Sequence, residues 1–139
     1  MSLGFTTFNV KKEINFMLNK SHLINFVATS NAETAREFYE KILGLTFVSS
    51  DHFALVMEVT GTMLRITKVD KVNPQKHTVL GWDVIDIKKE VRALIERGVK
   101  FARFDGIDQD EHGIWTAPGG SMIAWFTDPD GNILSLTQF

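Results

Sequence analysis

The chain has 139 residues, 44% of them hydrophobic and 23% charged, with a formal net charge of −2 and no cysteine. That length supports one sizeable core, and the near-neutral balance gives no electrostatic reason to expect nucleic acid or an anionic membrane as partner. The missing cysteines exclude a disulfide framework, thiolate zinc sites and cysteine nucleophiles, which fits a cytoplasmic setting. No apolar run reaches a membrane span, and the N-terminus lacks the layout of a signal peptide.

Residues 5–20, "FTTFNVKKEINFMLNK", place Val10, Ile14 and Met17 on one helical face, so a short amphipathic helix is expected there as an extension of the main domain. From His22 the pattern sharpens. "HLINFVAT" reads as a strand, and "SNAETAREFYEKILG" reads as a helix. Ser30 and Glu33 have capping-box spacing, Ala35, Phe38, Tyr39, Ile42 and Leu43 form one apolar stripe, and Gly44 is the stop. "LTFVSS", "FALVMEV" and "MLRITKV" are three further strands.

The same order then returns. "HTVLGWDV" is a strand. "DIKKEVRALIERG" is a helix capped by Asp86, with Ile87, Val91, Leu94 and Ile95 inward and Gly98 as its stop. "VKFARF", "GIWTAP", "SMIAWFT" and "ILSLTQF" supply strands, and "DGIDQDEHG" is an acidic exposed loop. The chain thus reads as an internal duplication of β-α-β-β-β. The expected organisation is an extension over 1–20 and one domain over 21–139, with modules at about 21–70 and 76–139 joined by "DKVNPQK".

Asp128-Pro129-Asp130-Gly131 has the make-up of a type I turn, with Asp128 accepting from the chain two residues on. The rival reading, an EF-hand-like cation loop, requires a bidentate Glu at the twelfth position, and that position is Phe139. No nucleophile elbow, Walker-type loop or dinucleotide fingerprint occurs.

A first strand, a helix ending "FYEKILGL", a second strand and helix ending "ERGV", and the final "FTDPDGN" hairpin together resemble the vicinal-oxygen-chelate superfamily. That superfamily includes glyoxalase I, bleomycin-resistance proteins and extradiol dioxygenases, and the likeness runs over roughly residues 22–139. It implies an α+β fold: two βαβββ modules forming a cupped, mostly antiparallel sheet with helices on its outer face, and a homodimer.

Metal-dependent members bind a divalent ion through His or Glu on strands of the cup. Carried over by spacing, those positions fall on Ile24, Val79 and Ser135, with the fourth at Arg65 or Thr67. Ile and Val have no lone pair, Ser is a weak neutral ligand and Arg repels a cation, whereas a catalytic ion commonly takes about three N, O or S ligands. The expectation is therefore a protein of the glyoxalase/bleomycin-resistance type that binds a small organic molecule in the cup without the family metal or any other cofactor. Whether it is also an enzyme stays open.

The alternative is a metal-dependent lyase, isomerase or dioxygenase. His22 and His77 each lie two residues before a vacant position, which keeps strand parity, and Glu58 is the carboxylate to join them as ligands of a divalent ion. His22, His77 and Asp83 are also the candidate catalytic groups. The bland account places each His in the loop before its strand. His52, His112 and the acidic cluster Asp105, Asp108, Asp110 and Glu111 read as solvated surface.

With family parity, Ile24, Phe26 and Arg65 line one side of the cup, and Val79, Asp83 and Ser135 the other. Asp83, as a lone carboxylate, is expected to meet Arg65. Trp115 and Trp125 supply flat walls for an aromatic or extended ligand.

Overall fold

The computed structural model describes residues 17–139. Most of the expected helix over 5–20 lies outside the described residues; its end, Leu18–Lys20, is a single 3₁₀ turn.

Eight strands and two helices follow: β1 Ile24–Thr29, α1 Ala32–Arg36 with its continuation Glu37–Ile42, β2 Thr46–Ser50, β3 Ala54–Val59, β4 Thr62–Lys68, β5 Thr78–Asp83, α2 Ile87–Glu96, β6 Trp115–Thr116, β7 Met122–Thr127 and β8 Ile133–Gln138. They form two four-stranded mixed sheets of the same order, β1-β4-β3-β2 and β5-β8-β7-β6. In each, the first strand runs parallel to the last and the other pairs are antiparallel. The duplication is therefore real: the fold is α+β, built of two βαβββ modules.

The helix-bearing faces of the two sheets share one core. Val27, Leu64 and Ile66 from the first sheet meet Phe38 and Tyr39 of α1, Ile87 and Val91 of α2, and Phe126 and Leu134 of the second sheet. The apolar stripe of α1 turns inward as expected, with Ala35, Phe38 and Tyr39 buried. Its second half is a π turn, in which the Leu43 N–H donates to the Phe38 carbonyl. In α2 the stripe is narrower than expected, since Ile95 is 40% exposed.

Two local expectations are corrected. Asn31, not Ser30, caps α1: its side chain accepts from the Thr34 N–H at 3.1 Å. The reason is that Ser30 is committed elsewhere, donating its N–H and hydroxyl to Asp130 at 2.9 and 2.7 Å. The expected strand at "VKFARF" does not form, and β6 holds only two residues. The Gln109 side chain takes the backbone partners that a ladder would use, accepting from the Phe104 N–H and donating to the carbonyls of Ala102 and Gly113. Asp86 does cap α2, and Gly44 and Gly98 do end their helices at positive φ.

The "DPDGN" hairpin is a turn, and it is also a clasp between the modules. Asp128 Oδ1 accepts from the Asp130 and Asn132 N–H groups, both at 2.9 Å. Its Oδ2 accepts the buried Tyr39 hydroxyl at 2.6 Å and the Asn132 amide at 2.8 Å. The same amide donates to the Ala28 carbonyl, and the Thr29 hydroxyl donates to Asp130 at 2.6 Å. Asp128 is buried, and these donors replace the water it has lost.

Candidate functional site

Strand alternation decides which side chains the core leaves over. On β1, Val27 and Thr29 are buried toward the helices, while Ile24 is 47% and Phe26 59% exposed on the opposite face. Register then assembles that face. Phe26 lies beside Arg65 of β4, which lies beside Val56 of β3; Ile24 lies beside Met63, which lies beside Glu58. Ala54 and Val56 are buried here, yet they stand outside the shared core. The first sheet thus turns an apolar surface, with Arg65 and Glu58 on it, away from the molecule's interior.

The second sheet does the same. Gly81 lies beside Ser135, which lies beside Trp125; Asp83 lies beside Thr137, then Ile123, then Trp115. The Trp115 and Trp125 rings stack with centroids 6.1 Å apart and planes 30° apart. Phe104 meets Trp125 edge-on at 5.3 Å. A Cβ at position 81 would stand 2.9 Å from the Ser135 hydroxyl. Glycine is therefore what admits that hydroxyl into the floor beneath the aromatic wall.

Seven of the eight expected ligand-contacting residues lie on these two faces, and the eighth, Val79, packs against the shared core beside a break in the β5 register; the eight also divide between the sheets. Ile24, Phe26 and Arg65 belong to the first sheet; Val79, Asp83, Ser135, Trp125 and Trp115 belong to the second. None of the eight lines the cavity of about 310 Å³ between the sheets. Asp83 and Arg65 make no ion pair; among the described residues the ion pairs are Arg36–Glu40 and the looser His112–Glu111. Asp83 is exposed and keeps its hydration, so it needs no partner. Arg65 contributes positive potential at the rim of the first sheet. There the Phe53 and Ala54 N–H groups, helped by Arg65 and Lys68, hold the Asp51 carboxyl below its usual range.

The displaced metal set does not assemble within one chain. His22 and His77 are exposed and precede β1 and β5 rather than lying in them. Glu58 is occupied in the β3–β4 turn, where it accepts the Gly61 N–H. Among the described residues, no three His, Asp or Glu side chains converge as a metal cage. The positions carried over from the resemblance fit an ion no better. Ile24, Val79 and Ser135, with Arg65 or Thr67 as the fourth, offer at most two neutral hydroxyl oxygens, and Arg65 would repel the ion.

A family model, described as the Glyoxalase/Bleomycin resistance protein/Dioxygenase superfamily, matches residues 20–136. The chain belongs to this superfamily. Solved structures agree on the superfamily fold. TnmS3, an antibiotic binding protein from Streptomyces sp. CB03234, is 25% identical, with a TM-score of 0.64 over 84% of this chain and 93% of that one. A bleomycin resistance determinant encoded on the transposon Tn5 is 18% identical, with a TM-score of 0.66 over 85% and 97%. Lactoylglutathione lyase from Agrobacterium tumefaciens is 14% identical, with a TM-score of 0.66 over 85% and 92%. No curated protein sequence matches the chain. Superfamily membership therefore leaves binder and enzyme both open, and the residues on the open faces must decide between them.

The residues that hold the modules together were less visible in the sequence than those on the faces. Tyr39 and Asp128 are far apart in the chain, and each has a complete local explanation, as a stripe residue and as a turn residue. Only the fold brings them together.

Proposed function

We propose that the protein binds a small organic molecule in the cytoplasm, without the superfamily's metal, in a cup that a second copy of the chain completes. The observation that carries this reading is the furnishing of the open faces. Where metal-dependent relatives are expected to place donors stand Ile24, Val79, Ser135 and either Arg65 or Thr67. Around them stand exposed Phe26 and Met63 and the half-buried, stacked Trp115–Trp125 pair. One chain turns its two faces to solvent, so the first-sheet face of one copy is proposed to close over the second-sheet face of the other. The match to TnmS3, whose own description is antibiotic binding, supports a binding rather than a catalytic role.

Sequestration asks for no bond making. Apolar burial, at about 25 cal/mol per Å², and stacking on the Trp125 wall supply the affinity. Arg65 supplies a point of attraction for an acidic group. A planar aromatic acid satisfies all three.

The test is a titration with anilinonaphthalene sulfonate, following quenching of tryptophan emission, together with metal analysis of protein purified without chelator. Saturable quenching that weakens in Phe26→Ala and Arg65→Ala is the expected result. Retention of one nickel, zinc, manganese or iron ion per chain, lost in His22→Ala or His77→Ala, would replace this reading with the metal-dependent one.

A further inference from the structure

The cavity between the sheets lies apart from the open faces and borders them only at the Gly81 backbone. Asn25 and Leu64, neighbours in register on β1 and β4, wall one side on the helix-bearing face, and Leu80 and Trp82 of β5 wall the other. Half-buried Val59 and Thr62 beside the β3–β4 turn and the exposed Leu23 line its open side, or mouth. The volume, about 310 Å³, reaches the range of small-molecule sites.

Two features set this cavity apart from a packing defect. The first is Asn25. The face it shares continues as Val27 and Thr29, both buried, whereas Asn25 is half-buried and its amide is open to solvent and free to bond a guest. Among the described residues no hydrogen bond uses the Asn25 side chain, nor does any use the Trp82 indole N–H. The second is the absence of charge: no Asp, Glu, Lys, Arg or His lines the cavity. An ionic guest would find no partner of opposite charge there. The mouth is also held firmly. Thr60 and Gly61 turn at φ of 50° and 79°, and the Glu58 carboxylate grips the Gly61 N–H.

We propose that this seam is a second small-molecule site, for a neutral, compact ring compound carrying one amide or hydroxyl group that hydrogen-bonds to Asn25. The ring lies against Leu64, Leu80 and Trp82. Because the site touches both modules, occupancy favours their docked arrangement over any state in which they separate. The proposal does not depend on how the open faces are used.

Benzamide and its charged counterpart benzoate test it, titrated into the full chain while the indole N–H signals of Trp82, Trp115 and Trp125 and the Asn25 amide are followed by two-dimensional NMR. The expected result is saturable movement of Trp82 and Asn25 with benzamide and none with benzoate. Binding should weaken roughly fivefold in Asn25→Leu, the worth of one ordinary hydrogen bond, and should vanish in Val59→Trp, which fills the mouth. Should Val59→Trp fail to fold, Leu23→Trp blocks the same mouth from an exposed position. Movement confined to Trp115 and Trp125, equal binding of benzoate, unchanged affinity in Asn25→Leu, or no saturable movement would each overturn the proposal.

Discussion

Tyr39 is the only tyrosine in the chain, which allows the clasp between the modules to be tested with one optical signal. The phenol is fully buried, its hydroxyl donates to Asp128 at 2.6 Å, and its ring packs edge-on against Phe38 at 5.2 Å. Tyr39→Phe keeps the ring and removes the donor, so no cavity enters the balance. A hydrogen bond to a charged acceptor is worth about 1.5–3 kcal/mol. Asp128 keeps its other donors, so a loss of about 2 kcal/mol is expected, or roughly 6 °C in Tm for a chain of this size. Burial, the Asp128 charge and bond, and the Asp130 charge together push the phenol's pKa above its ordinary value. A raised folded pKa means that the stabilisation is complete below the unfolded value, about 10. Above it the unfolded chain releases the proton and the folded chain does not, so stability falls by up to about 1.4 kcal/mol per pH unit from this group. Urea unfolding of both proteins at neutral and alkaline pH measures this, with phenolate absorbance as the second readout. Native protein should show no phenolate until it unfolds, and the gap between wild type and Tyr39→Phe should shrink as pH rises past about 10. A neutral-pH difference below about 0.5 kcal/mol at unchanged m, or a phenol that titrates normally in the folded state, would refute the reasoning.

Three further outcomes follow from local geometry. Burial alone would raise the Asp130 carboxyl, but hydrogen bonds from Thr29 and Ser30 outweigh it and leave the folded pKa lowered. Its stabilisation is thus complete above the unfolded value of about 3.9 and is lost as pH falls through the folded one; Asp130→Asn should flatten the acid limb of stability followed by fluorescence. Thr60 holds a left-handed φ of 50° ahead of Gly61, a costly posture for a β-branched residue. Thr60→Asn, giving the Asn-Gly pair favoured in tight hairpins, should raise stability by about 1 kcal/mol in thermal unfolding. Gly81→Ala pushes a methyl against the Ser135 hydroxyl and should cost about 1–3 kcal/mol. Ser135→Ala in the same chain should recover most of that loss, and additivity in the double-mutant cycle would show that the two positions do not meet.

The strands, the helices and their repetition were legible because each has a period, and the period survives in a single sequence. Ile24 and Phe26 could be assigned to one face, and Val27 to the other, by alternation alone. What could not be read was any fact that depends on a competing partner. Ser30 looked like a cap until Asp130 claimed it, and residues 99–104 looked like a strand until the Gln109 side chain replaced their ladder. Asn25 is a polar residue within an apolar strand, but its cavity exists only because β5 comes to lie beside β1 and β4. The split of the candidate site over two sheets was also hidden, since the pattern of one strand says which face is apolar and not which way that face turns.

Complementation between two defective chains tests the shared cup most directly. Phe26→Asp damages the first-sheet face and Trp125→Ala the second, and equilibrium dialysis with anilinonaphthalene sulfonate counts working sites. Each variant alone should bind little. Their equal mixture, after subunit exchange, should regain roughly a quarter of the wild-type sites, the share expected when two copies pair at random and each cup draws on both. A mixture no better than its parts, or full binding by either variant alone, would contradict a cup built from two copies.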